Sequence, residues 1–128
     1  MPSAPNDVAD IAERLRAALS AQDLDAFGTL LADDVRWGSD DHPRACRNRS
    51  DVLATFARLL SEGAEGAITE LAVGTKGVLC GLAVKWPAPS QHPHDRDLFH
   101  VYLVREGRIV EIQRYDDRSS AAQAAGAA

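Results

Sequence analysis

Two cysteines and one methionine in 128 residues leave this chain little sulfur chemistry. Cys46 and Cys80 stand far apart and outside any Cys-x-x-Cys spacing, so both read as reduced, structural thiols. Positive charge is scarce as well, with 14 Lys and Arg against 19 Asp and Glu and a net charge of -5. A phosphate-binding surface needs clustered cations. The one basic run, Arg44, Arg47 and Arg49, faces Asp33, Asp34, Asp40 and Asp41, which excludes nucleic acid as a partner. No apolar stretch approaches the roughly 20 residues of a membrane span. The opening Met-Pro-Ser-Ala-Pro-Asn-Asp lacks the basic and apolar regions of a signal peptide. A cytoplasmic protein that makes no membrane contact is expected.

Cofactor signatures are missing too. The chain has no Gly-rich phosphate loop, no nucleophile elbow and no His-Glu-x-x-His, so no cofactor and no metal site is expected. His92-Pro-His94-Asp95 has the right side chains for a metal but sits in a Pro-rich stretch without a rigid frame, and reads as a solvated loop. Asp40-Asp41-His42 reads the same way.

What is present is ordinary soluble composition, 45% hydrophobic and 26% charged, at a length that suits one domain with a core large enough to close around a small cavity. Val8, Ile11, Ala12, Leu15, Ala18 and Leu19 follow helical spacing, with Asn6 as N-cap and Asp7 and Asp10 in the first turn. Asp23 caps a shorter helix with Phe27, Leu30 and Leu31 inward, and a short strand follows over 35–39. Ser50 caps a third helix carrying Leu53, Phe56, Ala57 and Leu60, which stops at Gly63. The period then changes from 3.6 to 2. Strands are predicted over 67–74, 78–86, 98–104 and 108–116, pairing as an antiparallel meander. The tail over 119–128 is nearly all Ala, Ser, Gln and Gly, with nothing bulky to dock it, so it is expected to fray and the domain to end at 118.

The last hairpin is the most informative segment. Strict alternation puts Leu98, His100, Tyr102, Val110, Ile112, Arg114 and Asp116 on one face, and Phe99, Val101, Leu103, Ile109, Glu111 and Gln113 on the other. Titratable groups among apolar ones on a covered face are costly unless they are hydrogen-bonded, so they mark a pocket. Helices followed by strands give an α+β fold, with three helices over the concave face of a curved sheet and a cone-shaped pocket between them. The row Phe99, Val101 and Leu103 faces away from the helices, and predicts a homodimer through the sheet.

The element order, with Ala-Gln-Asp-Leu-Asp-Ala-Phe at 21–27, Leu-Leu-Ala-Asp-Asp-Val-Arg-Trp at 30–37 and Gly-Arg-Ile-Val-Glu-Ile at 107–112, resembles the SnoaL-like branch of the nuclear transport factor superfamily. The resemblance implies a cone-shaped α+β barrel, usually dimeric, on a scaffold that hosts ketosteroid isomerases, polyketide cyclases, dehydratases, epoxide hydrolases and ligand binders. The isomerase tyrosine, base and oxyanion donor fall at Leu15, Ser39 and Phe99, with Asp40 beside the base position on the opposite parity, so an isomerase reading would need Asp40 to swing inward. The cyclase pattern is closer. Its histidine falls at His100, while its carboxylate position holds Arg114, and Asp116 is the nearest carboxylate on the same face. His100 and Asp116 are therefore the candidate catalytic pair. Trp37, Ser39, Phe56, Tyr102 and Arg114 are the candidate ligand contacts, with Trp86 a further aromatic wall and Arg114 a fork of donors for an anionic oxygen. The expected ligand is an apolar, partly polar small molecule. The rival readings are a non-catalytic carrier or sensor, and a dimerisation module whose own side chains fill the cavity.

Overall fold

The computed structural model describes residues 4–38, 45–85 and 96–127. Ser39, Asp40, Asp41, His42, Trp86, His92, His94 and Asp95 lie outside the described residues.

The first helix, α1 (Ala4–Ala21), buries the predicted stripe of Val8, Ile11, Ala12, Leu15 and Ala18. It starts at Ala4 and so takes in Asn6, which is not its cap. The short α2 (Leu24–Leu30) is capped as expected by Asp23, whose side chain accepts from the Ala26 amide at 3.0 Å. Strand β1 (Leu31–Trp37) follows without a break, so Leu31 belongs to it and not to the helix. Helix α3 (Arg49–Ser61) is capped by Asn48, which accepts from the Asp51 amide at 2.8 Å, and not by Ser50. Asn48→Ala should therefore cost about 1 kcal/mol of stability, and Ser50→Ala much less, in urea denaturation. The buried anchor of α3 is Val52, while Ala57 faces solvent.

Strands β2 (Glu65–Val73), β3 (Gly77–Lys85), β4 (Arg96–Arg105) and β5 (Arg108–Tyr115) form the predicted antiparallel meander. β1 joins it in parallel against β5, giving the sheet order β1-β5-β4-β3-β2. The sheet is open at β1 and β2, and the fold is α+β and cone-like. On its inner side α1 lies over β2 and β3, α3 lies against β1, and α2 bridges the two helices.

Two departures from the sequence reading follow from local chemistry. The β4–β5 ladder slips between Leu103 and Val104, so that Leu103 opposes Glu111 while Val104 opposes Ile109. Val110 is the extra residue. Such a bulge reverses the alternation beyond it, and Ile109, placed outward by strict parity, is fully buried in the inner core with Tyr102 and Ile112.

The tail is the larger correction. Residues 118–125 form a helix, α4 (Arg118–Ala125), lying on the outer face of β3, β4 and β5. Asp117 caps it, accepting from the Ser120 amide at 2.8 Å, and Gly126 closes it at φ 72°, the left-handed conformation that glycine adopts without strain. Ala121, Ala122 and Ala125 pack on Leu79 and Val101. Bulk is not needed, because small side chains let the helix backbone approach the sheet: Gly74 has no room for a Cβ against the Ala125 carbonyl, which accepts from the Lys76 amide at 2.9 Å. The Arg118 Nε donates to both carboxylate oxygens of Glu70, at 2.9 and 3.1 Å, and ties the start of the helix to β2. Val101, expected in an exposed row, is thus covered within the chain, leaving Phe99 and Leu103 half-buried beside it.

Candidate functional site

A cavity of about 760 Å³ opens between α1, α2, α3 and the inner face of the sheet, a size typical of small-molecule pockets. Leu82, Leu98, His100 and Tyr102 form its floor, and Leu19, Phe27, Trp37, Phe56 and Leu60 its walls. The aromatics interlock. Phe27 meets Phe56 edge-on at 4.8 Å, Phe56 stacks on Trp37 at 5.1 Å and 28°, and Trp37 meets the His100 ring edge-on at 5.6 Å. Offset stacking and edge contacts are the arrangements that the ring quadrupoles favour. The backbone of Trp37 is fixed at the end of β1 by a reciprocal pair of hydrogen bonds with Cys46, at 2.9 and 2.8 Å.

His100 occupies the centre of a cross-strand row in which Cys80 of β3 stands on one side and Arg114 of β5 on the other. It is 6% exposed, and apart from the Tyr102 phenol and the two thiols it is the one buried polar side chain among the described residues. Its Nδ1 lies 3.2 Å from the Tyr102 hydroxyl. Burial, and then the positive charge of Arg114, hold the imidazole down to about 4, because a charged form is penalised in a dry site and beside a like charge. Burial likewise pushes the Tyr102 phenol well above its ordinary value, and the Cys80 thiol to about 12 against a smaller opposing effect of Arg16. The floor is therefore uncharged at neutral pH, yet it presents hydrogen-bonding groups.

Among the described residues, three charged side chains line the cavity. Arg114 lines the cavity with a half-exposed side chain, and it donates to Asp116 at 3.2 Å. Asp23 lines it too, with its carboxylate engaged in capping α2. Arg16 of α1 has no ion-pair partner among the described residues. Nothing in the composition marked Arg16, but it falls four residues after Ala12 and three before Leu19, on the edge of the apolar stripe.

Of the residues singled out from the sequence, His100, Tyr102, Arg114, Trp37 and Phe56 come together around this cavity. Asp116 does not. Its side chain is 80% exposed and outside the lining, because β5 ends at Tyr115 and strand alternation carries no further. Ser39 is outside the described residues. Cys46 and Cys80 are both free and buried. Among the described residues no three His, Cys, Asp or Glu side chains gather as a metal ion would require. No helix there is long and apolar enough to cross a membrane.

The sequence profile of the SnoaL-like domain matches residues 12–112. Among curated proteins none matches the chain. Solved structures share its fold at low identity. A candidate polyketide cyclase of Xanthomonas campestris superposes with a TM-score of 0.69 at 14% identity, covering 89% of this chain and 93% of its own. A candidate ketosteroid isomerase of Kribbella flavida gives 0.69 at 15%, covering 88% and 78%. An LEH-like epoxide hydrolase of M. tuberculosis gives 0.64 at 20%, covering 97% and 92%.

Proposed function

Because this chain belongs to the SnoaL-like domain family, whose fold houses several unrelated chemistries, we propose from its own cavity that it binds an apolar small molecule with few polar groups, of an aromatic or polyketide-like kind. The observation that carries this reading is the cavity of about 760 Å³, walled by Phe27, Trp37 and Phe56 over a floor whose polar contacts among the described residues are His100 and Tyr102. An aromatic ligand would stack on the Trp37 and Phe56 side and hydrogen-bond at the floor. Arg114, at the edge, offers its guanidinium to any negative charge that the ligand carries.

A neutral naphthyl ketone is a suitable probe. It should quench the Trp37 emission saturably in a Trp86→Phe background and raise the melting temperature, since occupancy at 100 times the dissociation constant adds about 2.7 kcal/mol of stability. Trp37→Ala should weaken that binding several-fold. If naphthyl and larger polycyclic ketones all leave melting unchanged, the cavity is not a site for ligands of this kind.

A second reading is proton transfer on the bound molecule, as chemistry of a cyclase or isomerase kind. It is favoured by His100 in the floor with Arg114 beside it, where an enolate oxygen would meet stabilising donors. Exchange of ketone α-hydrogens with deuterated water, faster with the wild type than with His100→Leu, would establish it. Exchange no faster than buffer leaves a carrier or sensor.

A further inference from the structure

The contact between His100 and Tyr102 settles more than the position of two side chains. One hydrogen lies between Nδ1 and the phenol oxygen, and the question is which atom owns it. Tyr102 is 0% exposed, and its hydroxyl makes no other hydrogen bond among the described residues. The nearby Cys80 thiol directs its own hydrogen to the Gly81 carbonyl at 4.0 Å. If Nδ1 carried the hydrogen, the phenol O–H would be a buried donor without an acceptor, an arrangement that folded proteins avoid. If the phenol donates, both groups are satisfied.

The other nitrogen then follows. A neutral imidazole carries one N–H, so Nε2 must bear it. Among the described residues no buried side-chain nitrogen or oxygen is left without a partner and Nε2 has none, so this atom owns the small exposed surface of His100 and faces the cavity. The groups around the ring keep it neutral. Among the described residues, Arg114 faces it from β5, Cys80 from β3 and Trp37 from β1, and the charge of Arg16 on α1 acts on Cys80. Two of these are cations and none is a carboxylate. Asp116 is turned to solvent on Arg114, and Asp23 is committed to its helix cap.

We propose that Tyr102 locks His100 as the Nε2–H tautomer, so that His100 is a hydrogen-bond donor and not a base, and that the cavity selects ligands presenting a carbonyl oxygen to that N–H. The choice of ligand class rests on the binding reading above; the tautomer does not. Both lone pairs that a base would need are unavailable to the ligand, one spent on the phenol and the other replaced by hydrogen. A bound ketone would therefore be polarised at oxygen, and any proton taken from its carbon would have to go to another group.

Two measurements on the full chain test this separately. In a two-bond proton–nitrogen correlation spectrum with labelled histidine at neutral pH, the ring absent from His100→Gln is His100. It should show a pyridine-like Nδ1 and a pyrrole-like Nε2, unchanged on mild acidification, and Tyr102→Phe should turn it into a tautomer mixture. A pyrrole-like Nδ1 in the wild type overturns the assignment. The second arm compares acetylnaphthalene with ethylnaphthalene, alike in size and differing in the carbonyl. The ketone should bind about tenfold more tightly, the preference should vanish in His100→Leu, and part of it should survive in His100→Gln, which keeps an N–H. Equal affinities in the wild type overturn the ligand class while leaving the cavity a binding site. Failure of both compounds to bind overturns the ligand class together with the proposed function, and the spectrum alone then decides the tautomer.

Discussion

A chain ended after Asp116 should lose about 3 kcal/mol of stability, although it would keep every residue around the cavity. α4 is what fully buries Leu79 and Val101 on the outer face of the sheet. Fully burying one aliphatic side chain is worth roughly 1.5–3 kcal/mol, and the entropy regained by releasing an ordered helix offsets part of that sum. Urea denaturation of the two chains measures the difference, and a loss below about 1 kcal/mol would mean that α4 rests on the sheet without holding it. Truncation should also change association. The homodimer expected from Phe99, Val101 and Leu103 needs the face that α4 partly occupies, so light scattering should find a larger dimer fraction in the shortened chain. A dimer of equal strength in both would place the interface elsewhere.

That helix shows where a sequence reading by bulk goes wrong. Ala121, Ala122 and Ala125 give no hydrophobic signal, but their smallness is what lets the Ala125 carbonyl meet the β2–β3 turn at Gly74 and Lys76. Reading Asp117 as a cap and Gly126 as a left-handed stop would have bracketed the helix; the composition of the segment between them hid it. The inner hairpin was legible for the opposite reason, since a period of two over Leu98, His100 and Tyr102 leaves one arrangement that buries them. It failed at Ile109, where a bulge after a tight turn reversed the parity, and at Asp116, where the strand had ended. Period reports a face only while the ladder lasts.

Within the cavity, the residue types were readable and their partnership was not. His100 and Tyr102 are two apart on one strand, a spacing that any inward pair shares. What makes them act together is that Tyr102 is wholly enclosed while His100 keeps a little open surface, which depends on Phe27 and Trp37 arriving from α2 and β1. Charge followed the same rule. The chain carries a net charge of -5, yet among the described residues Arg16 and Arg114 outnumber Asp23 at the cavity. A negative ligand group would thus be attracted locally by a protein that repels it as a whole.

The same enclosure gives the chain an acid-sensitive core. His100 is held at about 4 by burial and by Arg114, against 6.5 for an unhindered imidazole. At a pH between these values the unfolded chain takes up a proton that the folded chain refuses. Stability is then complete above pH 6.5 and falls as the pH drops toward about 4, by roughly 3 kcal/mol across the window. Glu70 and Asp117 are also held below their ordinary values, by hydrogen bonds from Arg118 and Ser120. Their contributions fade only through the carboxylate range and below it, so the upper part of the window belongs to His100. Urea midpoints from pH 7 to about 4.5 should fall steeply for the wild type and stay flatter for His100→Leu, the two curves converging as the pH drops. Parallel curves would show that His100 is protonated in the folded chain as readily as in the unfolded one, which a dry imidazole between Trp37 and Arg114 does not allow.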